Sequence, residues 1–330
     1  MAEKDHAVSL AAGRSASLAG SGLLTKAMRG EEPGWRHHFA PLGIPTLVIA
    51  DDPELLATAR AAYAGWAAET PPIEPSLEIR LVAGSAPSRE VSCGIHVEGS
   101  RLRLEGGEIE GEADTASGRA RCLVPPRLIG DPAALAAEAM DTLLLFLLTH
   151  AGRTPIHAAG IMIADAALML AGPSGSGKST LALAAAQRGL HVLSDDTLYV
   201  QHEPVLRVWG FPRPVHVFPE DAPPGMHATR LRSGKLKSVV PLNVTEGARF
   251  AEAAIPVLLE RGERLALEQI QPEAVVAGLT RPEPGFDLRA EEIAVAARLL
   301  AARGGWRLTL ARDPVGAIDL LHCHFAEAGR

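Results

Sequence analysis

Eight consecutive residues, Gly172-Pro173-Ser174-Gly175-Ser176-Gly177-Lys178-Ser179, fill every constrained position of the phosphate-binding loop pattern. In such a loop the glycines let the backbone turn so that successive N–H groups converge on the phosphates of a nucleotide. Lys178 can bridge the outer phosphates, and the Ser179 hydroxyl can ligate Mg²⁺. Thr180 follows directly, and the nucleotide-binding stretch is taken to run from Gly172 through Thr180. The chemistry implied is the handling of a nucleoside triphosphate.

Two further sets of residues bear on that chemistry. Asp195 and Asp196 close an apolar strand sixteen residues beyond Ser179, at the strand end where ligands bind in open α/β sheets. Adjacent residues of a strand point to opposite faces, so the two carboxylates are expected to do different work. One can hold the metal that Ser179 also holds, and the other can accept a proton from an incoming hydroxyl. His157 lies on an apolar strand fifteen residues ahead of Gly172. By its own pattern it reads as a hydrogen-bonded core histidine.

These residues need particular elements around them. Ala167-Leu168-Met169-Leu170-Ala171 is an apolar stretch of strand length leading into the loop, and Thr180 to Gln187 is a strong helix former leading out of it. The helix N-terminus then faces the phosphates. Ile156 to Ile163 reads as the preceding strand, Arg188-Gly189 as the helix stop, and His191 to Ser194 as the strand that ends in the aspartates. Beyond Gln201 the chain is rich in Pro and Gly, with strands resuming at Val239 to Leu242 and Ile255 to Glu260. A helix from Glu291 to Ala302, a strand from Trp306 to Leu310 and a last helix after Asp313-Pro314 complete this half.

Residues 1–30 are rich in Ala, Ser and Gly with weak periodicity and are expected to be flexible. Residues 31–152 read as an N-terminal α+β module. Thr46 to Ala50 is a strand, Asp52-Pro53 opens a helix with Asp51 or Asp52 as N-cap, and short strands follow at Leu77 to Val82, Val91 to Val97 and Leu102 to Leu104. Asp131-Pro132 opens a second helix that runs to about His150, buried on most of its surface. Residues 153–330 form the catalytic half. The fold class expected is α/β.

Bulk properties narrow the function classes. The chain has 330 residues, 47% of them hydrophobic and 22% charged, which is a globular balance with room for about two domains. A net charge of −7 argues against nucleic acid as an obligate partner. Three widely spaced cysteines, Cys93, Cys122 and Cys323, show neither a disulfide framework nor paired zinc spacing. The N-terminal stretch has no continuous apolar core, and the run Leu143 to Leu148 is far short of the ~20 residues that span a bilayer. A cytoplasmic protein without a membrane partner is the expectation.

The stretch from His157 to Asp196 resembles the catalytic core of HPr kinase/phosphorylase in its order of parts. A strand histidine comes first, then a strand into the glycine loop, then a helix ending Arg-Gly, then a strand ending Asp-Asp; here they are His157, Gly172 to Ser179, Arg188-Gly189 and Asp195-Asp196. The resemblance implies a P-loop kinase domain of the HPr kinase/phosphoenolpyruvate carboxykinase-like type, with ATP and Mg²⁺. It places His157 and one aspartate beside the γ-phosphate, with Asp195 as base towards a serine hydroxyl and Asp196 on the metal side with Ser179. It also implies homo-oligomers, since HPr kinase relatives form ring-like hexamers.

Departures redirect the reading. Thr180 stands where the bifunctional enzymes carry Glu, and their second signature, Glu-Ile-Arg-Gly-x-Gly-like, is replaced by Arg230-Leu231-Arg232-Ser233-Gly234-Lys235-Leu236-Lys237. This sets phosphorylase activity and HPr as acceptor in question. The chain is more similar to the HPr-kinase-related proteins found with peptide-modification systems. Arg213, Arg230, Lys235 and Lys237 are candidates for clamping the transferring phosphoryl group, the two lysines favoured because a strand follows.

The expected function is therefore ATP- and Mg²⁺-dependent transfer to a serine of a small protein or precursor peptide. Asp195, His157 and Lys178 are its catalytic residues. A small-molecule kinase and a nucleotide-sensing protein without an acceptor are the alternatives. No Leu-Ser-Gly-Gly-Gln signature is evident, which argues against a transporter ATPase.

Overall fold

A computed structural model describes residues 34–66, 74–87, 94–211, 213–226, 228–230, 236–241, 249–282 and 289–328. The chain divides into two compact units, with the boundary between Ala151 and Gly152.

In the N-terminal unit the strands are β1 (Trp35–Phe39), β2 (Thr46–Ala50), β3 (Leu77–Ala83), β4 (Gly94–Glu98), β5 (Arg101–Gly106), β6 (Ile109–Asp114) and β7 (Arg119–Val124). They form one sheet in the order β1-β2-β3-β7-β6-β5-β4. Strands β2, β3 and β7 run parallel and the remaining pairs antiparallel. Every residue of β2 is buried, as its unbroken apolar sequence requires. Helix α1 (Pro53–Ala62) connects β2 to β3. Asp52 is its N-cap, the carboxylate accepting from the N–H groups of Glu54 and Leu55 at 2.8 Å each. Strand β6 is acidic, and Arg partners on its neighbours hold it. Glu112 sits opposite Arg121 and Arg103, and forms an ion pair with Arg121.

Helix α2 (Pro132–His150) has 19 residues and a mean hydropathy of 1.5, enough by length and composition to cross a membrane. The six-residue run noticed in the sequence is thus only part of a longer apolar element. Half of the helix is buried, and it packs on β5, β6 and β7 as a core helix of this unit, with Leu135, Leu143, Leu147 and Leu148 enclosed. A π-helical turn over Ala136–Met140 widens its middle. The Tyr63 hydroxyl donates to Asp141 Oδ1 at 2.5 Å and ties the end of α1 to it.

In the C-terminal unit come β8 (Thr154–Ile163), β9 (Ala166–Ala171), α3 (Lys178–Gln187), β10 (Val192–Ser194), β11 (Thr197–Gln201), β12 (Arg207–Gly210), β13 (Val215–Val217), β14 (Ala228–Arg230) and β15 (Leu236–Val240). They are followed by β16 (Phe250–Ala251), β17 (Ala253–Arg261), β18 (Ala266–Ile270), α4 (Pro272–Leu279), α5 (Ala290–Leu300), β19 (Gly305–Leu310) and α6 (Pro314–Ala328). The main sheet is ordered β16-β12-β11-β8-β9-β17-β19-β18, with β10 also on β8. The loop strand β9 lies where two halves meet: β8 beside it is antiparallel, whereas β17 and then β19 are parallel to it. The unit is a mixed α/β structure.

Alternation along β8 and β9 builds two core layers. Ile156, Ala158, Ala167, Met169 and Ala171 face α4 and α5, packing with Val275, Leu279, Ile293 and Leu300. Ala159, Ile161, Ile163, Leu168 and Leu170 face α3 and α6, packing with Leu181, Ala185, Ile318 and Leu321. Burial on both faces is why these strands read as continuous apolar runs. A separate antiparallel sheet, β13-β15-β14, lays Val215, Val217 and Val240 on Leu183 of α3.

Strands β10 and β11 run in succession along β8, Val192 opposite Ile161 and Thr197 opposite His157. The register shifts between Val192 and Ser194, just before the aspartates. Gly210 of β12 lies so close that a Cβ there would run into the Leu193 carbonyl. Gly210→Ala is therefore expected to lower stability by roughly 1–3 kcal/mol, as overpacking does, read as a lower urea midpoint. A change within error would show that β10 is free to shift.

Candidate functional site

The loop between β9 and α3 takes its shape from glycine. Gly177 has φ +111° and is the N-cap of α3, whose first turn has no side-chain cap. Its first N–H groups are thus left for a ligand to satisfy. Ser176 is buried, and its Oγ has no hydrogen-bond partner among the described residues. Lys178 is only 6% exposed. Its Nζ donates to the carbonyls of Gly172 (2.7 Å) and Pro173 (3.3 Å), folded back onto the loop.

Ser179, one residue on, lies beside Asp195 and favours its charged form. Thr180 Oγ1 donates to Asp221 Oδ2 at 3.3 Å. The first turn of α3 therefore meets two segments distant in sequence.

The aspartates occupy different environments. Asp195 is 6% exposed, and Oδ2 accepts from the His216 N–H at 3.3 Å. Burial, and then the charge of Asp196, pushes its carboxyl up to about 6, against the opposing pull of its hydrogen bonds. The Asp196 side chain is 65% exposed, with Oδ1 3.5 Å from His157 Nδ1 and Oδ2 accepting from Thr197 Oγ1 at 3.2 Å. The Ser194 hydroxyl fixes the corner by accepting from the N–H groups of Asp196 (3.4 Å) and Thr197 (3.3 Å).

The structure thus gathers Lys178, Ser179, Asp195, Asp196 and His157 around the start of α3, the last four as two neighbouring pairs. Ser179 goes with Asp195, and His157 with Asp196. The sequence reading had set Ser179 with Asp196. That pairing came from the resemblance, whereas the structure sets Asp195 in a buried place beside Ser179 and leaves Asp196 exposed.

Of the basic candidates, Lys237 donates to the His216 carbonyl at 3.2 Å and stands 4.0 Å above the Phe218 ring. It adds to burial in lowering the His216 imidazole, while Asp196 opposes. Arg213 stacks on Phe211 at 4.7 Å, Arg230 ends β14, and Lys235 lies outside the described residues, as do Cys93 and residues 1–30. Sequence reasoning missed His216, Asp221 and Arg261, whose guanidinium donates to the Gly175 carbonyl at 3.3 Å. Only Arg261 carried a signal, as the last residue of an apolar strand.

Among the described residues no group of three or more His, Cys, Asp or Glu side chains gathers as a metal centre. Mg²⁺ asks for less, one or two carboxylates plus substrate phosphates. Asp195 and Ser179 offer that: a buried carboxylate, strained by a neighbouring like charge and set beside a hydroxyl, fits a hard cation.

No family model matches the chain, and no curated protein matches it. Among solved structures it is similar to the HPr(Ser) kinase/phosphatase from Coxiella burnetii, at 13% identity and a TM-score of 0.30, over 53% of this chain and 99% of that one. This is a distant structural likeness.

Proposed function

We propose that the C-terminal unit is an ATP- and Mg²⁺-dependent kinase of the HPr kinase type, transferring phosphate to a serine hydroxyl of a small protein or precursor peptide. One observation carries the reading: beside a complete phosphate loop, the two adjacent carboxylates sit in different places, Asp195 buried and accepting from the His216 N–H, Asp196 exposed and 3.5 Å from His157. A protein that only binds nucleotide needs the buried carboxylate for its metal; the exposed one beside a histidine is what an acceptor hydroxyl requires.

The loop N–H groups from Gly172 to Thr180 and Lys178 would hold the phosphates, Lys178 leaving the Gly172 and Pro173 carbonyls to do so. Ser179 and Asp195 would hold Mg²⁺, which supplies charge neutralisation for the phosphates. Asp196, with its exposed carboxylate beside His157, accepts the proton of the serine hydroxyl as the new O–P bond forms and the bond to ADP breaks. This exchanges the roles first assigned to the two aspartates. The N-terminal unit would recognise the acceptor or join subunits in a homo-oligomer.

The test is transfer of labelled γ-phosphate from ATP to peptides encoded beside this gene, with mass spectrometry locating the modified serine. Asp196→Asn is expected to lower transfer roughly 10²-fold, the scale of a lost general base, with ATP affinity nearly unchanged. If the protein binds ATP tightly yet labels no peptide or protein in a cell extract, the kinase reading is wrong.

A further inference from the structure

On the flank of the loop away from His157, an open cleft of ≈ 540 Å³ runs between Pro173–Ser176 and the ends of two parallel strands. Its far wall is Leu258, Leu259, Glu260 and Arg261 of β17, Arg307 of β19, and Arg281 beyond α4. Strand β17 flanks β9 on one side and β8, with His157, on the other. The cleft is thus separate from the aspartate corner but shares the backbone of the loop. None of its strand residues has a part in the chemistry above.

We infer that this cleft receives the base and ribose of the nucleotide whose phosphates the loop holds; the inference rests on the nucleotide-binding reading of that loop. Continuity is the first reason, since a ligand anchored on the loop lies at the mouth of the cleft. The character of the wall is the second. Two guanidinium planes, Arg281 and Arg307, can stack on a heteroaromatic ring over the aliphatic surface of Leu258. The Glu260 carboxylate, 3.4 Å from Arg307, is an acceptor for ribose hydroxyls or a base amine, and it disfavours a free phosphate. The volume falls within the roughly 300–1,000 Å³ of small-molecule sites. Arg261 has a different part, bracing the loop through the Gly175 carbonyl.

Calorimetric titration of the full chain with Mg-ATP and, separately, with Mg-tripolyphosphate tests this. Arg281→Ala and Arg307→Ala are each expected to weaken ATP roughly five- to tenfold, the scale of a lost stacking cation, and to leave tripolyphosphate within about twofold. Retained tripolyphosphate binding also shows that the variant is folded. Equal weakening of both ligands would make the cleft a phosphate clamp and overturn the inference, as would ATP affinity unchanged in both variants. If the unaltered protein binds neither ligand, the reading of the loop itself falls and the cleft assignment with it.

Discussion

Lys178→Met is expected to lower phosphoryl transfer about 10³-fold, the upper end of what one removed electrostatic donor costs. The ammonium is enclosed, 6% exposed, and held by two loop carbonyls, so water does not screen it as it would a surface lysine. Enclosure makes it worth more to a phosphoryl group whose charge is spreading over its oxygens. Met keeps the length and apolar stem of the side chain, so packing beneath the loop is retained and the loss is one of charge. Turnover and thermal melting should be measured on the same preparation. Melting close to that of the unaltered protein with turnover lost is the expected pair of results. Turnover within tenfold of the original would mean that the loop is not where the phosphoryl group is held.

Asp195→Asn separates stability from activity. The carboxyl is raised from 3.8 to about 6, so the folded chain keeps its proton over a range where the unfolded chain has lost it. Stability from the neutral group is full below about pH 4 and is lost as pH rises through about 6. A shift of that size amounts to about 3 kcal/mol. In EDTA, the unaltered protein should therefore lose stability between about pH 4 and 6. The Asn variant should not, and should be the more stable of the two at pH 8. Its transfer activity should fall roughly 10²-fold or more, since losing this carboxylate loosens the hold on the cation whose charge neutralisation is worth several kcal/mol. Urea midpoints at pH 4, 6 and 8 decide the first claim: parallel pH slopes in the two proteins would show that Asp195 is not held as a neutral acid.

Much of the scaffold of both units was legible because its elements are buried on two faces or capped by recognisable residues. The loop strand was read as Ala167 to Ala171 and runs Ala166–Ala171; Asp52 and Asp131 cap their helices as their Pro successors suggested. Other parts were hidden for physical reasons. Strand β6 carries Glu110, Glu112 and Asp114, residues that disfavour a strand in isolation, and it is held by Arg103, Arg119 and Arg121 across the ladder, pairings that no local window contains. The small sheet β13-β15-β14 lies in a Pro- and Gly-rich stretch that reads as loop. Its strands are short and gain their burial from Leu183. At the site, the residue types were visible but their pairing was not. Asp195 and Asp196 sit in a bend between β10 and β11, and which of them turns inward beside Ser179 is set by tertiary packing that residue type does not record.

Strand β8 outruns its neighbour. Ala158 is level with Ala171, the last residue of β9, so Thr154 to His157 continue past the loop strand with β11 alone beside them. Leu258 of β17 is level with Ala171 too, so Leu259 to Arg261 also continue past it, and the rim is a notch with the loop at its foot between two taller strands. On the proposed reading, the two walls of the notch give the two substrates different doors. A nucleotide entering along the β17 wall leaves the β8 wall clear for a peptide, and neither has to depart before the other arrives. Such a layout favours a ternary complex and direct transfer between co-bound partners, without a phosphorylated form of the protein between two half-reactions.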